Sequence, residues 1–391
     1  MIRLSSRKLH VLSDAIGRPF VARVTTNERL PLSMRGSEVL LLDSWTPSNE
    51  LDGFRGLLLR NAPEEATRLP PNTVVLPPEL AYVSDGDVLR ISPQDRALAV
   101  LYRRRAAFNA LLVTERCNHL CLMCSQPPKA ADDSHLVDVL LSAIPLFAQD
   151  SPEICLTGGE PTLLGPRFLA LVRAMRNYLP RTALHVLSNG RSFSDLQRAR
   201  ELAAIAHPDL MIGIPLYGAT SELHEYVVQS AGAFDETIRG ILNLKRAGVR
   251  VELRVVIQRA NFEHLPQLAE YVARNLTFLD HVALMGLEPT GFAKANLDSV
   301  WIDPVEYKAE LKRAVLTIAQ AGMRVSVYNH QLCTLDPGLW RYARQSISDW
   351  KNEYLAECEG CAMKHRCGGF FSTGVPVRSK YIRALTHAPP R

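Results

Sequence analysis

Ala110-Leu111-Leu112-Val113-Thr114-Glu115-Arg116-Cys117-Asn118-His119-Leu120-Cys121-Leu122-Met123-Cys124 is the stretch whose reading decides the fold. Its first four residues are a short apolar run of the kind that forms a buried parallel strand. The cysteines follow at once, spaced Cys-x3-Cys-x2-Cys. They fall on the loop leaving the carboxyl end of that strand, where α/β folds place their chemistry. Three thiolates on one short loop can hold three corners of a [4Fe-4S] cube, leaving the fourth iron open. The competing reading is a zinc knuckle or unrelated buried thiols. Zinc prefers four closed ligands, and this loop offers three.

Outward from the loop, the chain alternates strand and helix patterns. Strands are expected at Ala110–Val113, Ile154–Leu156, Leu184–Leu187, Leu210–Ile214, Val251–Ile257 and Val282–Met285. Amphipathic helices are expected near Leu136–Phe147, Phe168–Tyr178, Leu196–Ala206, Phe234–Ala247 and Leu265–Leu276, with Ser194 and Asp235 as helix starts and Gly248 as a C-cap. Six such units predict a parallel sheet with right-handed crossovers. Residues 1–105 read as β-rich, with short apolar runs such as Val39–Leu42 and Gly56–Leu59 between turn residues, which suggests a small barrel or sandwich. From about residue 300 the alternation weakens to a helix after Pro304, a strand at Arg324–Tyr328 and a second cysteine group. Three domains are expected: 1–105, 106–300 and 301–391.

The second strand ends in Gly158-Gly159-Glu160-Pro161-Thr162. Glycines there let backbone approach a ligand closely, and Glu160 adds a negative charge. Ser188-Asn189-Gly190 ends the third strand and offers either hydroxyl and amide groups for a ligand or a simple turn. Arg254, on the fifth strand, would pair with a ligand carboxylate or with a neighbouring acidic side chain. Beyond the barrel, Cys333, Cys358, Cys361 and Cys367 suit zinc or a second cluster by spacing alone. Cys155 reads as a buried core residue. His119 reads as a spacer, and His330 and His365 as surface histidines, a three-cysteine, one-histidine ligand set being the alternative.

Composition adds bounds. The chain has 391 residues, a net charge of +5 and 22% charged residues. Arg103-Arg104-Arg105 is the one marked basic run and reads as a solvated connector, so no nucleic-acid partner is expected. Met1-Ile2-Arg3-Leu4-Ser5-Ser6-Arg7-Lys8 lacks the apolar core of a secretory signal, and no run has membrane-spanning length. A cytoplasmic protein with metal-bound rather than disulfide-paired cysteines is expected.

Cys117, Cys121 and Cys124 together with Gly158-Gly159-Glu160 resemble the radical SAM superfamily. The resemblance implies a partial (β/α)6 TIM-like barrel of α/β class, with a β-rich N-terminal domain and a small C-terminal iron-sulfur domain. It implies a [4Fe-4S] cluster on the three cysteines whose open iron chelates S-adenosylmethionine, and reductive cleavage of that cofactor to a 5′-deoxyadenosyl radical. Gly158, Gly159 and Glu160 would hold the cofactor's amino group, Ser188 and Asn189 its ribose, Arg254 its carboxylate and Met123 its adenine. Met123 departs from the aromatic residue frequent at that position. Pro215-Leu216-Tyr217-Gly218 departs from the Ser-x-Asp-Gly of many peptide-modifying relatives. Cys333, Cys358, Cys361 and Cys367 resemble the ligands of one auxiliary [4Fe-4S] cluster.

More closely, Cys124-Ser125-Gln126-Pro127-Pro128, Gly286-Leu287-Glu288-Pro289-Thr290-Gly291-Phe292-Ala293, Gln345-Ser346-Ile347-Ser348-Asp349-Trp350-Lys351 and Cys367-Gly368-Gly369-Phe370-Phe371 resemble the radical SAM maturase of the His-Xaa-Ser repeat peptide system. That resemblance implies a precursor-peptide substrate, a second radical SAM maturase as partner and an electron donor such as flavodoxin or ferredoxin. Tyr217 and Glu288, at strand ends, are the candidates for substrate contact or proton handling; both would also serve as structural residues. The rival reading is a cluster-bearing partner that presents peptide or electrons to a second enzyme.

Overall fold

The computed structural model describes residues 3–12, 17–46, 51–63, 69–345 and 352–386. Among them two sheets form. The first takes β1 (Ser5–Ser6), β2 (His10–Val11), β3 (Phe20–Thr25), β4 (Glu38–Leu42), β5 (Gly56–Leu59), β6 (Thr73–Val75), β7 (Val88–Ser92) and β8 (Ala97–Tyr102), with α1 (Leu32–Arg35) between β3 and β4. Its order is β1-β8-β7-β3-β4-β5-β6-β2. The expected short strands are there, in one sheet whose edge strands β1 and β2 are separated by only three residues, so the sheet curls back on itself as the small barrel among the two expectations would. Strands β3 to β6 pair in parallel, each with the next, because the segments between them return the chain to the same end of the sheet.

The second sheet is parallel throughout, in the order β15-β14-β13-β12-β11-β10-β9. Its strands are β9 (Phe108–Thr114), β10 (Glu153–Gly158), β11 (Ala183–Leu187), β12 (Leu210–Pro215), β13 (Arg250–Ile257), β14 (His281–Gly286) and β15 (Val325–Tyr328). Helices α2 (His135–Ala143), α3 (Pro166–Tyr178), α4 (Leu196–Ala203), α5 (Ser221–Val228), α6 (Ala233–Arg246), α7 (Leu265–Asn275), α8 (Phe292–Ala295), α9 (Leu297–Val300) and α10 (Lys308–Gln320) lie between or after them. This is the partial TIM-like barrel of the expected α/β class. The strand after residue 300 joins it as a seventh member beside β14, so the parallel sheet runs past the expected boundary at 300. Helix α4 is capped by Asp195, whose side chain accepts from Gln197 N, and α6 begins after Gly232, leaving Asp235 in its first turn. Gly248 follows α6 at φ +82°, as a C-cap should.

Strand alternation separates two environments. On β13, Val251, Leu253, Val255 and Ile257 join the apolar core against the helices. Glu252, Arg254, Val256 and Gln258 face the other way, into the barrel lumen. Cys155 also faces the lumen: it is buried, but it lies outside the sheet–helix core, where the charges of Arg254, Glu153 and Glu252 act on it. Tyr102 stacks on Phe147 at 4.5 Å and hydrogen-bonds Ser151 at 2.7 Å, joining the N-terminal sheet to the barrel. Among the described residues no helix is long and apolar enough to cross a membrane.

Candidate radical SAM site

The cysteine loop is held by the segments that follow four of the strands. After β10, Gly159 N donates to Thr114 O and Glu160 N to Arg116 O, both at 2.8 Å. After β11, Asn189 Nδ2 donates to Asn118 Oδ1 at 2.7 Å. The helix that follows β12 ends beneath the loop, where Val228 O and Val227 O accept from Leu120 N and Leu122 N at 3.1 and 3.0 Å. After β14, Phe292 N donates to Cys124 O at 2.8 Å and Asn296 Nδ2 to Leu122 O at 2.8 Å. Asp133 completes the frame, accepting from Thr114 Oγ1 and Glu115 N and pairing with Arg116.

These contacts explain glycines that the sequence suggested were for a ligand. A Cβ on Gly158 would stand 2.1 Å from Thr114 O, and one on Gly159 2.1 Å from Arg116 O. A Cβ on Gly291 would stand 2.5 Å from both Cys124 O and Ser125 O. The glycines are needed because the cysteine loop itself passes against them.

The loop thiols are desolvated. Burial pushes Cys117 up to about 11 and Cys121 up to about 12, and raises Cys124; the neighbouring thiols add to the rise at Cys117 and Cys121. Such a set becomes thiolate readily only against bound positive charge, which a cluster supplies. Among the described residues no three Cys, His, Asp or Glu side chains converge on one ion. Thiols that grip the corners of a cube stand farther apart than the ligands of a single zinc. Three thiols on one loop suit a cluster with one open iron, whereas zinc prefers four closed ligands.

Glu160 is fully buried. Its Oε1 accepts from Thr162 N (3.0 Å), Thr162 Oγ1 (2.6 Å) and Ser188 Oγ (2.8 Å), and its Oε2 from Asn189 N (2.6 Å). Burial raises its pKa, and these donors oppose the rise. Glu160, Ser188 and Asn189, expected as separate contacts, thus form one unit beside Asn118. Thr162 belongs to it and was not singled out from the sequence, although it stands two residues after Glu160.

The other expected site residues divide. Met123 is buried, and Gln258 Nε2 reaches its sulfur at 3.7 Å. Gln258 is fully buried with Oε1 unpartnered, a polar group beside the loop that its place in an apolar strand hid. Tyr217 packs against Met123 and stacks on His224 with ring centres 5.8 Å apart. Burial holds its phenol well above the usual range, with Cys121 and Cys124 adding to the rise. Arg254 pairs with Glu252 at 2.5 Å, the acidic-neighbour alternative. Glu288 is half-buried and accepts from Thr373 Oγ1 at 3.3 Å.

One histidine departs from the surface expectation. His330 is buried with both ring nitrogens used, by Tyr307 OH at 2.8 Å and Tyr328 O at 2.7 Å, which leaves none for a metal. His119 is buried in the loop; burial first, then the charge of Arg191, lowers its pKa to about 4. His365 is exposed, as expected.

Cys333, Cys358, Cys361 and Cys367 line one cavity of about 330 Å³. Leu332 N donates to Cys367 Sγ at 3.5 Å and Leu385 N to Cys361 Sγ at 3.3 Å, the backbone bonds to sulfur that tune iron-sulfur clusters. Gln331, Gly369 and Phe370 belong both to this cavity and to a groove of about 640 Å³ that runs beside Gly286 and Leu287. Of the string Gln345–Lys351, residues 346–351 lie outside the described residues.

Residues 111–272 match the Radical SAM superfamily, so the barrel carries a radical SAM domain. The chain is 27% identical over 169 residues to an Fe-coproporphyrin III synthase of Methanosarcina barkeri, covering 40% of this chain and 38% of that protein. It is 26% identical over 243 residues to an AdoMet-dependent heme synthase of Oleidesulfovibrio alaskensis, covering 61% of this chain and 58% of that protein. The chain thus spans less than two thirds of these relatives. A crystal structure of Streptococcus suis SuiB bound to S-adenosylmethionine aligns with TM-score 0.45 and 14% identity, over 57% of this chain and 51% of that one.

Proposed function

We propose that this protein is a radical SAM enzyme that oxidises a ribosomally made peptide of the His-Xaa-Ser type, forming a crosslink. Cys117, Cys121 and Cys124 would hold the [4Fe-4S] cluster, which with S-adenosylmethionine supplies a 5′-deoxyadenosyl radical. The chain's own part is to orient and to exclude water. Glu160, fixed by Thr162, Ser188 and Asn189, would take the cofactor's amino group, with one donor on Oε2 against three on Oε1. Met123, Gln258 and Tyr217 close the apolar side of the loop. Cys333, Cys358, Cys361 and Cys367 would hold one auxiliary cluster.

The observation that carries the peptide reading is the four-thiol cavity that shares its lining with the open groove beside the end of β14. A peptide laid there would pass between the barrel mouth and the auxiliary thiols; Glu288, between the lining residues Leu287 and Pro289, and Tyr217, beside Met123, would be the candidates for substrate contact or proton handling. A cytoplasmic location, an electron donor of the flavodoxin or ferredoxin kind and a second maturase belong to the same reading, as do domains at 1–105, 106–300 and 301–391, the last lending β15 to the barrel sheet. A second reading, an iron-porphyrin substrate, is favoured by the names of the two sequence relatives.

The test is anaerobic reconstitution followed by mass spectrometry of a His-Xaa-Ser peptide and of iron-coproporphyrin, incubated separately. We expect near eight irons per chain, 5′-deoxyadenosine formation and loss of two hydrogens from the peptide. A modified porphyrin beside an unchanged peptide would transfer the assignment to the second reading.

A further inference from the structure

Asn329 and Gln331 follow β15, where the barrel gives way to the auxiliary thiols. Both are half-buried, and both line the groove beside Gly286. Their amides are anchored in the same way. Asn329 Nδ2 donates to Gly286 O at 3.2 Å, and Gln331 Nε2 donates to Gly369 O at 2.7 Å. A backbone carbonyl can only accept, so the nitrogen of each amide must face it and the oxygen must point elsewhere. Among the described residues no donor meets Asn329 Oδ1 or Gln331 Oε1. With the nitrogens tied to the wall, the two oxygens are left to the groove. His330, between them, is buried, its ring nitrogens used by Tyr307 and Tyr328. The backbone supports the arrangement. Asn329 is left-handed at φ +59°, a conformation Asn tolerates better than most L residues, and Gln331 is extended at φ −80°, ψ 135°. A Cβ on Gly286 would stand 2.5 Å from Asn329 O, so that glycine lets the Asn329 turn press against the end of β14.

The pair selects for a ligand that brings donors. Two amide oxygens accept N–H and O–H groups and offer nothing to a carboxylate, which is itself an acceptor. The groove's guanidinium is already engaged: Arg378 donates to Val375 O at 2.7 Å and to Glu357 at 3.4 Å. The Tyr307 hydroxyl is bound to His330. An iron porphyrin, whose acidic groups are acceptors, would gain nothing from Asn329 and Gln331. A peptide does present donors. In an extended chain, side chains two residues apart share one face and stand ~6–7 Å from each other. Asn329 and Gln331 are themselves two residues apart. Trp301, Phe370 and Phe371 line the same groove and offer apolar faces to the rest of such a strand.

We propose that Asn329 and Gln331 are the substrate-recognition pair of this groove, each accepting one hydrogen bond from a donor side chain of an extended peptide, the two donors standing two residues apart. The proposal rests on the peptide reading above and deepens it. The imidazole N–H and the hydroxyl of a His-Xaa-Ser unit have that spacing, and each brings a donor. The middle residue projects to the opposite face, so the pair leaves its identity free. Gln331 also lines the four-thiol cavity, which sets the bound peptide beside it.

The test measures binding of a fluorescently labelled His-Xaa-Ser peptide to the anaerobically reconstituted full-length protein. Two altered peptides carry Phe in place of His or Ala in place of Ser. We expect each to bind wild type ~5–10-fold more weakly than the parent. Gln331→Met should weaken the parent peptide by a similar factor. So should Asn329→Gly, chosen because glycine keeps the left-handed backbone. Each variant should then bind one altered peptide, the one lacking the donor its lost amide would meet, as well as it binds the parent, and the two variants should differ in which peptide that is. Bound iron and the 5′-deoxyadenosine formed without peptide should stay at wild-type levels. Altered peptides that bind wild type as tightly as the parent overturn the pair, whatever the variants do. Variants that still discriminate both altered peptides from the parent as wild type does overturn it too, because a merely structural role would leave that discrimination intact. A wild type that binds iron-coproporphyrin and no peptide overturns the peptide reading, and the pair with it.

Discussion

The two cysteine groups of this chain are held in opposite ways. The first loop is fastened by backbone and side-chain bonds from the ends of β10, β11 and β14 and from the helix after β12. The second group hangs on short 3-10 turns, at Leu332–Thr334, Ala356–Cys358 and Lys364–Arg366. Side chains reaching carbonyls tie these turns together: Gln331 to Gly369 O, Tyr354 to Cys367 O and Trp340 to Leu332 O. The barrel preforms the first site. Around the second, a bound group would do much of the ordering, because metal binding to an unformed site is itself folding free energy. One site is thus a feature of the fold, and the other would be partly made by what it binds.

The largest effects should come from removing thiols, and they should differ in kind. Cys117→Ala, Cys121→Ala and Cys124→Ala together should abolish 5′-deoxyadenosine formation while leaving the apoprotein melting temperature nearly unchanged. Cys358→Ala with Cys361→Ala should halve the bound iron and open the segment after residue 330 to limited proteolysis. If both sets of variants lose order equally, the contrast between the sites is broken.

A smaller effect tests the fastening of the first loop. Gly159→Ala places a methyl against Arg116 O, which must shift. We expect a loss of ~1–3 kcal/mol of stability by chemical denaturation and weaker binding of S-adenosylmethionine. A variant as stable as wild type would mean that the loop yields freely.

The smallest effect concerns how the second region docks. Lys312 of α10 bonds Asp336 at 3.0 Å, and this bond, with Gly338 N, holds the Asp336 carboxyl below its usual 3.8. A lowered carboxyl pKa contributes stability that is present above the unfolded value and lost as pH falls through the folded one. Asp336→Asn should therefore cost under ~1 kcal/mol at neutral pH, the pair being partly exposed. The difference from wild type should vanish on acidification below pH 3.8, as followed by melting temperature.

Much of this was legible in the sequence because strand and helix periods differ. The six expected barrel strands and their helices lie close to where the apolar runs placed them. The Gly-Gly-Glu turn after β10 could be paired with the cysteine loop because both end neighbouring strands. Less legible were partners far apart in the chain. Gln258 reads as the end of an apolar strand, and only burial beside Met123 marks it. His281 and Ser326 are 45 residues apart, and neither belongs to a motif. His330 read as a surface residue because the Tyr307 hydroxyl that buries it comes from another segment.

By itself the sequence determined the α/β class, the cysteine loop at a strand end and the grouping of the last cysteines, since each follows from local spacing and side-chain chemistry. Tertiary structure alone decided why the glycines are glycines, that β15 joins the barrel and that N-terminal strands β3 to β6 run parallel. It alone decided which side chains meet in the lumen. Register between strands brings distant residues into contact, and no periodicity within one strand records which neighbour it will have.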